Sequence, residues 1–313
     1  MKNILIVGGA GYVGGHLTDL LNDNDDFNVK VIDNLLYEHQ YMKEVDFINI
    51  DVRDEINLKP HLAWADIVIW LAAIVGDGAC EIDRKTTIDV NYNSIKFLKK
   101  NFDKKIIFLS TCSVYGSQDG ILTEDSEIAP LSLYAETKML AEKKLLDTSA
   151  TIFRLGTLFG LSDNFSRIRM DLVLNALVSK SISEKKINIY GGQQFRPLLH
   201  VKDVAQAICL AIKKENEQGI FNLHYKNLKI IELAKEVIAK FPETKLNIIE
   251  QEFRDTRNYK VSSEKVYKVF NFEAKYNTKT GINEVGDVVT LGKIKNINDP
   301  RYTNALFLSK NSK

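Results

Sequence analysis

Apolar residues along this chain follow two alternating rhythms, short unbroken runs and helical spacings. Residues 4–7 (Ile-Leu-Ile-Val) contain no polar position, as a parallel strand buried on both faces requires. Apolar positions at Val13, Leu17, Leu20 and Leu21 then fit one face of a helix. Further strands are predicted at 29–32, 47–50, 67–71, 105–109 and 151–155. Such alternation predicts an α/β protein on a parallel sheet. After residue 160 the rhythm loosens. Helices are predicted at 171–180, 201–213, 230–240 and 262–270, and strands at 187–190, 220–223 and 246–249. Gly191, Gly192 and Pro197 mark a connection between them.

Ligands of such sheets gather beyond the carboxyl ends of the strands, which places residues 8–14, Asp33, Asp51, Ala72 and Thr111 on one edge. There Gly8, Gly11 and Gly14 fall at G-x-x-G-x-x-G spacing between the first strand and the first helix. Chemistry asks for glycine at those places. A strand turns sharply into a helix, a diphosphate approaches bare backbone, and the helix N-terminus offers unpaired N–H groups to the phosphates. The second strand ends in Asp33, close to the ~20 residues beyond the loop where a ribose-binding acid is expected. A carboxylate there accepts from both ribose hydroxyls and repels a 2′-phosphate, which favours NAD over NADP. The fold expected is therefore a Rossmann-type doubly wound parallel sheet with a smaller C-terminal α/β substrate domain. Residues 1–160 form the NAD-binding part, to which the chain returns around 201–223. Residues 161–313 are mainly the substrate part, with a polar tail from 296 that wraps or trails along the surface.

Composition narrows the classes. The formal charge is +1 over 313 residues, which marks neither a nucleic-acid nor a membrane-surface protein. No apolar run approaches the ~20 residues of a membrane span, and residues 1–4 lead straight into a strand without room for a secretory signal. The cytoplasm is the expected address. Cys80, Cys112 and Cys209 are odd in number and widely spaced, and the five histidines form no ligand pair, so neither disulfides nor a metal site is expected.

Tyr134 and Lys138 form the second constellation. At i and i+4 of a helix they share a face, so phenol and ammonium point the same way. A free phenol, with a pKa near ~10, is a poor base at neutral pH. A nearby ammonium and the positive charge of an oxidised nicotinamide stabilise phenolate, which can then take a proton from a sugar hydroxyl as hydride leaves the same carbon. Thr111, just past the fifth strand, offers a hydroxyl to the same substrate oxygen, and Ser113 and Tyr115 lie near it in sequence. No G-x-S-x-G elbow is present, which argues against a hydrolase.

With these residues in place the chain resembles the extended short-chain dehydrogenase/reductases, in particular the NAD-dependent sugar-nucleotide epimerase/dehydratase family. The segments that carry the resemblance are GGAGYVGGHL (8–17), VIDN (31–34), LAAIVGD (71–77), Asn91 within DVNYNS, STCSVYG (110–116), YAETK (134–138), FRLGTLFG (153–160), FRPLLHVKDVA (195–205) and FRDTRNYKVS (253–262). The resemblance implies that Gly8, Gly11, Tyr12, Val13 and Gly14 hold the pyrophosphate. It gives Asp33 and Asn34 to the adenosine ribose, Asp51 and Val52 to the adenine, and Leu71, Ala72 and Ala73 to the cofactor channel. Lys138 would also bond the nicotinamide ribose. Arg196 and Arg257 match arginines that contact the diphosphate of a sugar nucleotide, a task suited to a bidentate guanidinium. Arg167 and Asn175 belong to a segment that lies near the substrate in relatives. A homodimer through the Tyr134 helix, with Met139, Leu140, Leu145 and Leu146 at the contact, is also implied.

The active segment narrows the reaction. Dehydratases of this family carry Asp and Glu where this chain has Cys112 and Ser113, so dehydration is not expected. Enzymes acting at C3 and C5 carry Cys two residues before Tyr115, where Ser113 stands, and Cys112 reads as a structural thiol. C4 chemistry remains. The expectation is a 4-epimerase acting through a 4-keto nucleotide sugar, with Tyr134 as acid/base. The alternatives are a 4-keto-sugar reductase or C4 dehydrogenase with net redox, and a non-catalytic NAD-binding regulator. Thr157 stands where the family often has an Asn that touches the sugar phosphate.

Overall fold

The computed structural model describes residues 1–250 and 257–311. Its centre is a seven-stranded, wholly parallel sheet. In spatial order the strands are Gly219–Leu223, Ala150–Leu155, Lys105–Thr111, Ile67–Trp70, Lys2–Val7, Phe27–Asp33 and Asp46–Asn49. Chain order reverses between Lys2–Val7 and Ile67–Trp70, the switch point at which a doubly wound sheet opens a crevice. The apolar runs explain the depth of these strands. Every residue of Ile67–Trp70, Lys105–Thr111 and Ala150–Leu155 is buried, because helices cover both faces.

One face carries the helices Gly14–Asn22 and Val201–Lys213, which contribute Leu17, Leu21, Val204 and Ile208 to a core with Ile4, Ile6 and Val31. Helix Glu264–Phe270 returns to this same face through Val266 and Phe270. The other face is covered by Glu55–Trp64, Ser94–Asn101 and Leu133–Leu145, around Leu5, Val7, Trp70 and Phe108. A separate core gathers Phe159, Leu174, Val178, Ile187, Leu198, Leu233 and Val285. It is framed by a three-stranded sheet (Lys226–Lys229, Phe195–His200, Thr157–Phe159) and by the parallel pair Lys245–Ile249 with Lys186–Tyr190.

Three features depart from the sequence expectation. Pro197, read as part of a connection, lies inside a strand; pairing with Thr157–Phe159 begins only at Leu198, so the missing N–H falls where one side is open. Helix Thr278–Thr290 was hidden by Gly281 and Gly286, which weaken a helical signal. Those glycines let it press onto aromatic rings: a Cβ at Gly281 would stand 2.5 Å from Phe159. The polar tail wraps the surface but carries a helix that the sequence did not predict. It ends in helix Asn304–Asn311, whose Ala305 and Leu308 pack on the core that includes Leu5, Val7, Trp70 and Phe108.

A buried ion pair braces the sheet behind the Tyr134 helix. Arg154 Nη2 donates to Glu142 Oε2 at 2.8 Å with both side chains almost wholly buried. Ser110 Oγ also donates to Glu142, and Arg154 Nη1 donates to the Tyr115 hydroxyl at 2.8 Å. Burial of such a pair is tolerable because every charge finds hydrogen-bond partners.

Candidate active site

The turn after Lys2–Val7 is set by backbone proximity. Leu71 N and Ala72 N both donate to the Val7 carbonyl, at 2.8 and 2.9 Å. Gly8 has φ +87°, and a Cβ there would stand 2.4 Å from Ala72 N, so only glycine fits. Gly11 differs. A Cβ there would meet only the Gly8 carbonyl oxygen, at an ordinary 3.5 Å. The fold itself does not require glycine at 11, whereas a ligand pressed onto the loop would.

One groove opens from this turn. Its walls include Gly8, Gly11, Tyr12, Val13, Gly14, Asp33, Asn34, Asp51, Val52, Leu71, Ala72 and Ala73, with Tyr134, Lys138 and Arg167. Asp33 is fixed by backbone donors, Ala10 N to Oδ2 at 3.0 Å and Leu35 N to Oδ1 at 2.8 Å. Burial raises its pKa, which those donors oppose. Asp51 accepts from Arg53 and from Asn34 Nδ2 at 2.9 Å, and the Arg53 hydrogen bond holds its carboxyl down at about 2. The wall at 71–76 is braced by Asn91, which accepts from Ile74 N and donates to the Ile74 carbonyl. Asn91 sits on a single π-helical turn, Asp89–Asn93, that lies against the Tyr134 helix and donates weakly to Thr137.

Helix Leu133–Leu145 starts at Ser132, whose hydroxyl accepts from Ala135 N and donates to Asp77 Oδ1 at 2.7 Å. Tyr134, Lys138 and Glu142 follow one another along a single face. Lys138 Nζ donates to the Leu109 carbonyl at 2.8 Å and lies 4.6 Å from the centre of the Phe108 ring. Burial pulls Lys138 down to about 8. The expected lowering of Tyr134 by Lys138 is not what the protein alone provides. Burial pushes the Tyr134 phenol well above its ordinary value, and the opposing influences are Arg169 and a hydrogen bond with Thr111. A buried phenol with its ammonium engaged elsewhere stays protonated until more positive charge enters the groove.

Thr111 is buried at the end of its strand, beside Tyr134, and its hydroxyl accepts from Ser113 N at 3.1 Å. Cys112 is turned away, donating to the Arg154 carbonyl at 3.1 Å. Tyr115 is likewise spent, bonded to Arg154, Asn222 and the Thr123 carbonyl.

The four arginine and asparagine candidates separate. Arg257 reaches Ser113 Oγ at 3.0 Å and Asp77 Oδ2 at 3.2 Å, and Arg196 donates to the Arg257 carbonyl at 2.5 Å, so these two stand together on the Thr111 side. Residues 253–256 of the segment that carries Arg257 lie outside the described residues. Arg167 lines the groove but is bound to the Arg301 carbonyl and to Asn304. Asn175 is fully buried, with its amide bonded to Gly160 N, the Gly160 carbonyl and the Arg169 carbonyl. It holds backbone and bonds the groove-lining Tyr12 without lining the groove itself. Of the residues expected at a dimer contact, Leu145 is buried in the core, while Leu146 is exposed.

Arg169, the second arginine of the segment read as lying near the substrate, lines the groove, and so does Asn304, which sequence reasoning did not single out. Arg169 is clamped by Asp171 at 2.9 and 3.1 Å. Asn304, in an aperiodic polar tail, gave no sequence signal. Among the described residues there is no cluster of three His, Cys, Asp or Glu side chains able to hold a metal ion, and no helix long and apolar enough to cross a membrane.

Comparison with known proteins gives concordant matches. A family model described as the NAD dependent epimerase/dehydratase family matches residues 4–223. The chain is 30% identical over 272 residues to a UDP-glucose 4-epimerase of Lactobacillus helveticus, covering 75% of this chain and 81% of that protein. It is 28% identical over 315 residues to a UDP-glucose 4-epimerase of Halalkalibacterium halodurans, covering 87% and 91%. The fold is similar, with a TM-score of 0.80 and 23% identity over 92% of this chain and 99% of the other, to a UDP-glucuronic acid 4-epimerase from Bacillus cereus solved with UDP-glucuronic acid and NAD.

Two predictions follow from this geometry. Gly11→Ala should leave the thermal midpoint within ~2 °C yet weaken NAD at least ~10-fold in a binding titration, whereas Gly8→Ala should cost about 3 kcal/mol of stability by strain and collision. The Lys138 ammonium is buried at a cost that neutralisation relieves. Between about 8 and its ordinary 10.5 the unfolded chain holds this proton while the folded one does not, so its contribution to stability rises with pH across that window. Urea unfolding should show Lys138→Met more stable than the parent at pH 7.5, by about 2 kcal/mol, with the gap shrinking at pH 9.5.

Proposed function

The chain belongs to the NAD-dependent epimerase/dehydratase family of extended short-chain dehydrogenase/reductases, and from that premise we propose that it is a 4-epimerase of a nucleoside-diphosphate sugar. The observation that carries this reading is that the Tyr134–Lys138 face and the glycine turn with Asp33 line one continuous groove. A phenol and a dinucleotide site on the same wall are what removal of a carbinol proton together with a hydride needs.

The residues that would hold NAD fit it. Gly11 leaves its backbone bare toward the groove although the fold does not demand glycine there. Asp33 accepts from Ala10 N on one oxygen and Leu35 N on the other, and a carboxylate's four lone-pair sites leave acceptor capacity for ribose hydroxyls. When bound, the nicotinamide supplies the hydride acceptor and, in its reduced form, the donor. Every other task falls to side chains. Lys138, with three donors and one committed to the Leu109 carbonyl, has two for a ribose hydroxyl and the neighbouring phenol. Thr111 and Tyr134 converge on the C4 oxygen, with Tyr134 taking its proton and returning it after the 4-keto sugar has turned over. Arg196 and Arg257, on the Thr111 side, are the residues we assign to the diphosphate. Cys112 and Tyr115 are committed to the fold, so neither is offered to the sugar as a second acid or base, which supports chemistry confined to C4.

The test is a panel of UDP-, GDP-, CDP- and dTDP-sugars with products identified by NMR, run beside Tyr134→Phe. One sugar should interconvert with its C4 epimer, and Tyr134→Phe should lower kcat at least ~10³-fold while still binding NAD. Near-normal turnover by that variant would remove Tyr134 from the role.

A further inference from the structure

Arg167 was expected to meet the sugar nucleotide, yet its contacts run to another part of the chain. Its Nη1 donates to the Arg301 carbonyl at 2.6 Å and its Nη2 donates to Asn304 Oδ1. The guanidinium carbon lies 4.2 Å from the centre of the Tyr37 ring, and the Arg167 backbone N–H donates to Glu38 Oε1 at 2.6 Å. Asn304 in turn donates from Nδ2 to the Val75 carbonyl at 2.8 Å, and its N–H donates to Asp171 Oδ2 at 3.0 Å. The rings of Tyr37 and Phe307 stand 5.3 Å apart.

These contacts join three loops to one short helix. Residues 34–38 follow the strand on one side of the glycine turn, and residues 71–77 follow the strand on the other. Residues 163–171 come from beyond the main sheet. Helix Asn304–Asn311 is tied to all three, and Tyr37, Val75, Arg167 and Asn304 line the groove itself. A dinucleotide lying from Asp33 to Lys138 would run beneath this strap. Its departure would require Arg167 and Asn304 to part.

We propose that Arg167 and Asn304 are cofactor-retention residues, locking residues 299–311 across the groove so that bound NAD stays with the chain between turnovers. This rests on the reading of the groove as an NAD site. It also bears on the reaction class. Epimerisation takes a hydride from C4 and the proton from the C4 hydroxyl and returns both, so the cofactor ends in the state in which it began and need not leave. A net reductase or dehydrogenase must exchange it every cycle, and a strap anchored by a charged fork and a buried amide would hinder that exchange.

The experiment loads the full chain, Arg167→Met, Arg167→Lys, Asn304→Ala and Leu306→Ala with NAD and passes each through gel filtration into NAD-free buffer. Nucleotide retained per chain and its rate of release into an enzymatic trap are measured, with the thermal midpoint in saturating NAD as the check on folding. Leu306 lies on the same helix, 48% exposed, and serves as the control. The parent and Leu306→Ala should keep close to one NAD per chain. Arg167→Met and Asn304→Ala should release it at least ~10-fold faster, and so should Arg167→Lys, since an ammonium cannot span both partners. Release unchanged in these variants, or a parent that exchanges NAD as fast as they do, overturns the strap. Unchanged release together with weaker UDP-glucose binding in Arg167→Met would return Arg167 to the sugar site. A parent that takes up no NAD at any concentration would sink the groove assignment as well, and so separates the two failures.

Discussion

Two strand ends meet here without room for a side chain, and the rest of the site is arranged around that contact. The Val7 carbonyl takes both Leu71 N and Ala72 N, and residue 8 must be glycine because Ala72 backbone occupies the space of its Cβ. The sheet order makes the contact possible, since these strands are neighbours at the point where the winding reverses. Asp33 then follows as part of the same rigid unit, because Ala10 N, two residues past Gly8, donates to it. The turn and the acid are therefore positioned together.

The second constraint is the depth at which the Tyr134 helix lies. Its Tyr134–Lys138–Glu142 face meets the ends of the central strands, where Glu142 is compensated by Arg154 and Lys138 has only a carbonyl and a ring for partners. Desolvation therefore drives the phenol up and the ammonium down, opposite to what a ready base would show. For the base we propose, positive charge brought by an oxidised nicotinamide, added to Arg169, would supply what the fold withholds, and base strength would be coupled to the presence of cofactor. A phenol that remained protonated in the empty groove would also be protected from idle chemistry.

Much of this was legible in the sequence because buried parallel strands must be continuously apolar, and 4–7, 67–71, 105–109 and 151–155 are. The glycine spacing, Asp33 and the Tyr134–Lys138 pair were legible as positions on one groove because local geometry fixes where they stand. What escaped notice depends on contacts distant in sequence. Asn304 acts only through Arg167, Val75 and Asp171, and nothing in an aperiodic polar tail announces such partners. Asn175 and Arg167 were placed near substrate by their segment, but one is consumed by backbone at Gly160 and the other by residues 301 and 304. Pro197 and Gly281 misled because a one-sided strand tolerates the first and an aromatic contact requires the second.

The central claim is that one groove removes a hydride from C4 of a nucleotide sugar and gives the same hydride back. It is tested most directly with a nucleotide sugar carrying deuterium at C4, converted in ordinary water and read by NMR. The account predicts an epimer that keeps its deuterium at C4. Loss of the label to solvent, with hydrogen in its place, would mean that C4 is deprotonated rather than oxidised, and would contradict it.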